Sequence, residues 1–282
     1  MVCQISKEIK DQAKQIIQEC DAILITAGAG MGVDSGLPDF RGNEGFWNAY
    51  PVAKERGLSF EELANPYWFE HDPSLAWGFY GHRLNLYRET IPHEGFALLR
   101  ELCRSKGDDY FVVTSNVDGQ FQKAGFEESK ICEIHGSIHH MQCTDRNCEQ
   151  IWEARGVELQ VDMDAFRATS SLPTCSMCGK MSRPNILMFS DWDWLGDRSD
   201  QQMKRFGRWK TKLANEKKKV AVIEIGAGTA LPSIRRMSED AAKQFHTSLI
   251  RINPREHQGP SGTIRLPMEG LAGISAITSR TS

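Results

Sequence analysis

Apolar residues at the start of the chain recur at helical spacing. Ile5, Ile9, Ala13, Ile16 and Ile17 lie between charged positions, which predicts an amphipathic helix. The period then changes. Ala22-Ile23-Leu24-Ile25-Thr26 is a continuous apolar run that predicts a buried strand, and Gly28, Gly30 and Gly32 predict a tight turn after it. From residue 45 to 105 aromatic residues return at helical spacing, among them Trp68, Phe69, Trp77, Phe79, Tyr80, Leu84 and Tyr87. Several helices are expected there, the last presenting Phe96, Leu98, Leu99 and Leu102. Tyr110-Phe111-Val112-Val113-Thr114 predicts a second strand with the polar exit Ser115-Asn116-Val117-Asp118-Gly119. Another polar turn is Glu133-Ile134-His135-Gly136-Ser137. Ile186-Leu187-Met188-Phe189 suits a short strand or an extended loop, and the basic stretch Lys204 to Lys219 a solvated helix. Val220 to Ile225 predicts a buried strand ending at Gly226, and Ser248 to Ile252 one ending at Asn253.

Apolar strands separated by helices indicate an α/β fold, a Rossmann-like doubly wound parallel sheet. In such folds ligands bind beyond the carboxyl ends of the strands, so the Gly, Asn and Asp exits converge on one crevice.

The chain has 282 residues, 40% apolar and 25% charged, with seven tryptophans and thirteen phenylalanines for a sizeable core. A net charge of -3 gives no sign of direct nucleic-acid binding. No apolar run approaches the roughly 18 residues of a membrane span, and no basic segment followed by an apolar one marks a signal peptide. The expectation is a cytoplasmic, reducing location; nothing in the pattern specifies an oligomeric state.

There are eight cysteines, and in a reducing compartment paired cysteines point to metal or catalysis rather than to disulfides. Cys3, Cys20, Cys103 and Cys132 are scattered and suit small core or surface positions. Cys143 and Cys148 have four residues between them, Cys175 and Cys178 two, and 26 residues separate the pairs. Thiolates so spaced close a tetrahedral Zn2+ site, and four cysteines make it structural rather than catalytic. A set of free thiols, or a redox pair at Cys175 and Cys178, is the competing reading.

The turn Gly28-Ala29-Gly30-Met31-Gly32 is weak evidence by itself, since a tight turn alone would explain it. Its use would be close backbone approach to phosphate oxygens. It is not the GxGxxG of dehydrogenases, because residue 33 is Val, and no acidic residue clearly ends a second strand about 20 residues on. The turn continues as Val33-Asp34-Ser35-Gly36-Leu37-Pro38-Asp39-Phe40-Arg41-Gly42, which resembles the sirtuin signature GAGxSxxSGIPDFR. Thr114 to Asp118 is similar to the family's TQNID, and Ile134-His135-Gly136-Ser137 to its LHGS. Arg183-Pro184 through Asp191 resembles RPxVVxFGE, and Ile252-Asn253 its IN. With the cysteines in family order, the resemblance covers about residues 5 to 275 and suggests a divergent, microbial sirtuin.

The resemblance implies one sirtuin-type domain. Its parts are a Rossmann-like region (about 1–44, 92–138 and 183–282), a helical cofactor-loop insertion (about 45–91) and a zinc module (about 139–182). It implies that NAD is a consumed co-substrate in the deacylation of protein lysine. The acyl oxygen attacks C1′ of the nicotinamide ribose, nicotinamide leaves, and the products are free lysine and O-acyl-ADP-ribose. His135 would take a proton from a ribose hydroxyl, a role suited to a group that titrates near pH 7. Asn116 and Asp118 would orient water, ribose and nicotinamide, although both residues also favour ordinary turns. Gly28, Ala29, Gly30, Asp39, Phe40, Arg41, Ser115, Gly226, Ala227, Gly228 and Asn253 would contact NAD. Leu187, Phe189 and Ser190 would line the groove for an acylated protein or peptide, pairing with it as an added strand. His93, His139 and His140 carry no family role and are expected to be structural or exposed.

The chain departs from the family at several places. Ser115 stands for Gln, Gly32 for Ser, and Ser190-Asp191 for Gly-Glu. The family's GTS turn fits in two registers, beginning at Gly226 or at Gly228. Tyr80 and Arg83 lie three apart where some sirtuins recognise acidic acyl groups, a spacing an ordinary amphipathic helix also produces. An ADP-ribosyltransferase or NAD glycohydrolase on the same scaffold fits the altered groove; a non-catalytic NAD sensor is a third reading.

Overall fold

The computed structural model describes residues 6–39 and 42–279. Cys3, Ile5, Phe40 and Arg41 lie outside the described residues. The strands are β1 Ala22–Ala27, β2 Tyr110–Thr114, β3 Ile131–Glu133, β4 Gly136–Cys143, β5 Ile151–Glu153, β6 Val161–Asp162, β7 Arg167–Ala168, β8 Ser182–Ile186, β9 Val220–Ile225, β10 Leu249–Ile252 and β11 Ile264–Leu266. The helices are α1 Lys7–Glu19, α2 Gly42–Ala49, α3 Pro51–Glu55, α4 Phe60–Leu63, α5 Tyr67–His71, α6 Pro73–Glu89, α7 Glu94–Ser105, α8 Gln120–Lys123, α9 Asp197–Asn215, α10 Ser233–Gln244 and α11 Gly270–Thr278.

Six strands form a parallel sheet in the order β11-β10-β9-β1-β2-β3. β1, β2, β9 and β10 are buried along their whole length because helices cover both faces. That is why each reads as a mainly apolar run rather than an alternating one, interrupted among charged residues only by Glu224 in β9 and Arg251 in β10. The short edge strands β3 and β11 lack this signal, and the pattern did not single them out. From β1 the chain proceeds to β2 on one side and to β9 on the other, so the order reverses between β1 and β9. Ala27 lies beside both Thr114 and Ile225, which brings the exits of β1, β2 and β9 to one level.

A second sheet, β5-β4-β8, is antiparallel, with a register shift between Ser137 and Met141. It shares an apolar core with helices α2 to α6, where Phe46, Tyr50, Trp77, Phe79 and Phe166 are fully buried. The Trp77 indole N–H donates to the Ser182 carbonyl, tying α6 to β8.

Two sequence readings change. The helix expected at 204–219 begins at Asp197, and one face is buried: Phe206 and Trp209 pack on Phe111. Its first turns also hold β3, with the Ser199 hydroxyl donating to the Glu133 carbonyl and the Glu133 amide donating to Gln202. The Ile186–Phe189 segment is divided, with Ile186 closing β8 and residues 187–189 leaving as a loop.

Inside the parallel sheet, Arg251 on β10 and Glu224 on β9 form a fully buried bidentate pair at 2.6 and 2.9 Å, with Glu239 at 2.8 Å. Removing Glu224 leaves the buried Arg251 paired with the half-buried Glu239, and breaking a buried pair typically costs about 3–5 kcal/mol. Glu224→Gln is therefore expected to lower the unfolding free energy by about 3 kcal/mol in a denaturant titration. A loss below about 1 kcal/mol would place the pair in the range of a surface contact instead.

Candidate active site and metal centre

The crevice floor is two glycine turns pressed together where the strand order reverses. A Cβ on Gly28 would lie 2.7 Å from the Ala227 Cα, and one on Gly226 would lie 2.5 Å from the Gly30 Cα. Gly226 also has φ 64°, a conformation that side chains disfavour. The Gly30 amide donates to the Gly226 carbonyl, and the Gly226 amide to the Ile252 carbonyl. This contact makes Gly226-Ala227-Gly228 the turn that meets the first one and removes the two-register ambiguity. From Gly28 to Gly30 and from Gly226 to Gly228 no side chain exceeds a methyl group. Ala29 is exposed and Gly30 and Gly228 are half-buried, so this floor faces the crevice. It fits a diphosphate, which needs close main-chain approach.

Side chains clamp the floor from both sides. The Asn116 amide donates to the Gly28 carbonyl at 3.0 Å, and the buried Asn253 amide to the Ala227 carbonyl at 2.9 Å. Asn253 Oδ1 accepts from the Arg255 and Glu256 amides. Glu256 accepts from the Thr229 amide and hydroxyl, and Arg255 reaches Asp39 at 3.2 Å. Asp39 and Asn253, far apart in sequence, thus face one crevice.

The loop after β2 is stitched to β4. The Ile134 amide donates to the Thr114 carbonyl, and the Ile138 amide to the Val117 carbonyl. Asp118 is buried, and desolvation pushes its carboxyl up to about 6 although the Gln120 amide donates to it. His135 immediately precedes β4 and is half-buried. Desolvation lowers its pKa, opposed by a hydrogen bond to the Ser115 backbone. A neutral imidazole next to the floor can accept a proton at neutral pH. His139, read from the sequence as structural or exposed, has its Nε2 2.9 Å from the Asp118 carbonyl oxygen. Strand alternation offers no clue to it, because β4 shifts register between Ser137 and Met141.

The Leu187 amide donates to the His135 carbonyl, and the Phe189 amide to the Ala64 carbonyl. Leu187 and Ser190 are exposed, and the Phe189 ring meets Phe60 edge-on. Asp191 pairs with buried Arg183 at 2.7 and 2.8 Å and accepts from the Met188 and Asp193 amides. This carboxylate, invisible as a loop anchor in the sequence, holds the 187–193 loop. Ser190 sits at φ 55°, where the family's Gly would rest without strain. On α6, Arg83 is buried against the rings of Phe79, Tyr80 and Tyr87 and donates twice to the Tyr87 hydroxyl.

Cys143, Cys148, Cys175 and Cys178 present four Sγ atoms within 4.8 Å of one another. Cys143 and Cys178 are 3.5 Å apart, and Cys148 and Cys175 3.7 Å. A tetrahedron with Zn–S bonds of about 2.3 Å has edges near these values, so the set fits one structural Zn2+. Cys20, Cys103 and Cys132 are buried elsewhere. Cys148→Ser is expected to reduce zinc from about one to well below one per chain, measured by elemental analysis. Its thermal midpoint should fall with it. Full zinc retention would contradict a four-thiolate site.

A Sir2 family model matches residues 28–215. A protein of Leptospira interrogans serovar Lai named NAD-dependent protein deacylase is 30% identical over 95% of this chain and 94% of its own length. Similarly named proteins match over less: one from Pyrococcus abyssi is 34% identical over 65% of this chain and 66% of its own length. One from Pyrococcus furiosus is 30% identical, and the match spans 65% of its length. Among solved structures, a Sir2 homologue–NAD complex has a TM-score of 0.69 and 25% identity, covering 98% of this chain and 93% of the other. A mutant Sir2 homologue bound to ADP-ribose has a TM-score of 0.69 at 26% identity, covering 97% and 95%. The floor of two glycine turns, the His135 strand and the four-cysteine cluster are therefore those of a chain that belongs to the Sir2 family.

Proposed function

We propose that this chain removes acyl groups from protein lysine with NAD as co-substrate, yielding nicotinamide, deacylated lysine and O-acyl-ADP-ribose. The observation that carries the reading is the placement of His135, a half-buried imidazole kept neutral by burial and joined through its own carbonyl to the Leu187 loop. NAD, when bound, supplies an electrophilic ribose carbon and a leaving group. The protein's part is to bind, orient and deprotonate. The floor at residues 28–30 and 226–228 receives the diphosphate, with Asp39 and Asn253 at its margins and Ser115 beside the ribose. Asn116 and Asp118 orient the ribose and nicotinamide, and His135 accepts the proton of a ribose hydroxyl. Phe40 and Arg41 complete the nicotinamide-ribose end by family resemblance. Leu187, Phe189 and Ser190 present backbone to the substrate peptide as an added strand. Asp191 and Arg183 fix that edge beforehand, which reduces the ordering that binding requires.

The division into a Rossmann-like region, a helical insertion and a zinc module belongs to this same reading. Arg83 is buried and donates twice to the Tyr87 hydroxyl, so a peptide panel decides between neutral and acidic acyl groups. Among the described residues no helix is long and apolar enough to cross a membrane. A reducing, cytoplasmic setting suits the four clustered thiols.

The test is a panel of acetyl- and succinyl-lysine peptides incubated with NAD, with products resolved by mass. O-acyl-ADP-ribose supports the reading. ADP-ribosylated protein, or free ADP-ribose without peptide consumption, would replace it with transfer or hydrolysis. His135→Ala should lower kcat/KM by about 10² to 10⁴-fold. Only neutral imidazole accepts a proton, and His135 is lowered from 6.5. The acid limb of the rate profile should thus fall below pH 6.5, in a window shared with Asp118 at about 6. A limb above pH 7 would contradict this assignment.

A further inference from the structure

His139 lies outside the expected machinery and touches it. The contact runs from Nε2 to the backbone carbonyl oxygen of Asp118 at 2.9 Å. A carbonyl only accepts, so this ring nitrogen carries the proton. Desolvation lowers the pKa of the ring, which leaves a neutral imidazole with one N–H, and that N–H is committed to Asp118.

The ring is also shaped to its place. Gly119 has φ 70°, and a Cβ there would lie 2.5 Å from the His139 Cδ2 and 2.8 Å from Nε2. The imidazole occupies the space that any side chain at 119 would need. The next residue starts α8, where the Gln120 amide donates to the Asp118 carboxylate at 2.9 Å. Gln120 in turn donates through its side chain to the Tyr87 carbonyl. Asp118 is thus gripped at two points, its carboxylate from α8 and its carbonyl from β4. The β4 grip comes from the strand that carries His135 at its entrance, and the Ile138 amide reinforces it by donating to the Val117 carbonyl.

We propose that His139 is a positioning residue for NAD consumption: by holding the Asp118 carbonyl it aims the Asp118 carboxyl at the nicotinamide-ribose end of the crevice. The proposal rests on the reading that Asp118 orients the ribose and nicotinamide. It differs from simple space-filling in requiring the N–H. Phenylalanine would keep the volume without the donor, whereas glutamine would return an N–H close to the position of Nε2.

The experiment compares wild type, His139→Phe, His139→Gln, Asp118→Asn and the His139→Phe/Asp118→Asn double variant, all as full-length zinc-loaded protein. NAD dissociation constants come from calorimetry, nicotinamide inhibition constants and the KM values for NAD and peptide from turnover, and thermal midpoints are measured alongside. Loss of one positioned hydrogen bond corresponds to about tenfold in an equilibrium constant. His139→Phe should therefore weaken NAD binding and nicotinamide inhibition by about that factor, with the peptide KM within about twofold. His139→Gln should recover most of the loss, and the double variant should bind NAD no more weakly than Asp118→Asn alone. A His139→Phe protein with unchanged NAD constants overturns the proposal, even if its thermal midpoint falls. So do additive effects in the double variant or failure of glutamine to rescue. If phenylalanine prevents folding, His139→Leu takes its place with the same criteria. If wild type binds NAD but turns over no peptide, the deacylase reading fails while the calorimetric comparison still decides the role of His139.

Discussion

The contact between Gly28 and Gly226 is the constraint from which the rest of the site follows. β1 and β9 are adjacent, parallel and in register, and they end together. Their turns can touch only because neither carries a side chain at the point of contact. The contact leaves a floor of main chain and methyl groups, and the flanking strands hang their polar residues over it. Asn116 reaches the floor from β2 and Asn253 from β10, each bonding to a carbonyl of a turn. A side chain at either glycine would push the strand exits apart and disturb both clamps. Beneath the floor, the Arg251–Glu224 pair joins β9 to β10 with no exposure to water, so these exits are braced from inside the sheet as well.

The metal centre is coupled to this floor through one antiparallel ladder. β4 begins just after His135 and ends at Cys143; β8 begins at Ser182, which pairs with Cys143, and ends at Ile186, which pairs with Gly136. One end of the ladder is held by the four thiols. The other presents the imidazole and, one residue beyond β8, the Leu187 amide bonded to the His135 carbonyl. Gly136, with φ 78°, lets the two strands approach so closely that a Cβ would sit 2.1 Å from the Asn185 carbonyl oxygen. The four-thiol end of the ladder therefore bears on the placement of His135 and of the Leu187 loop.

Much of the fold was legible because central parallel strands must be apolar on both faces. Tyr110 to Thr114 and, apart from the paired Glu224, Val220 to Ile225 follow this rule, and both lie where the pattern places them. The cysteine spacing was equally direct, since four thiols at two knuckles have few other uses. What stayed hidden depends on partners distant in sequence. Asp191 reads as a loop acid until Arg183 is seen buried against it. The basic composition of α9 concealed the face formed by Phe206 and Trp209. The register of the Gly226 turn could not be chosen from a string that contains two similar Gly-containing triplets. It was decided by steric contact with Gly30. Phe40 and Arg41, which complete the signature, fall outside the described residues.

Two touching glycine turns form the floor proposed to receive NAD. Calorimetric titration of NAD into wild type and Gly226→Ala tests it most directly. The expected result is about one NAD bound per wild-type chain and a dissociation constant raised about tenfold or more in the variant, with secondary structure retained. Unchanged affinity in a folded Gly226→Ala protein, or no binding to wild type, would contradict it.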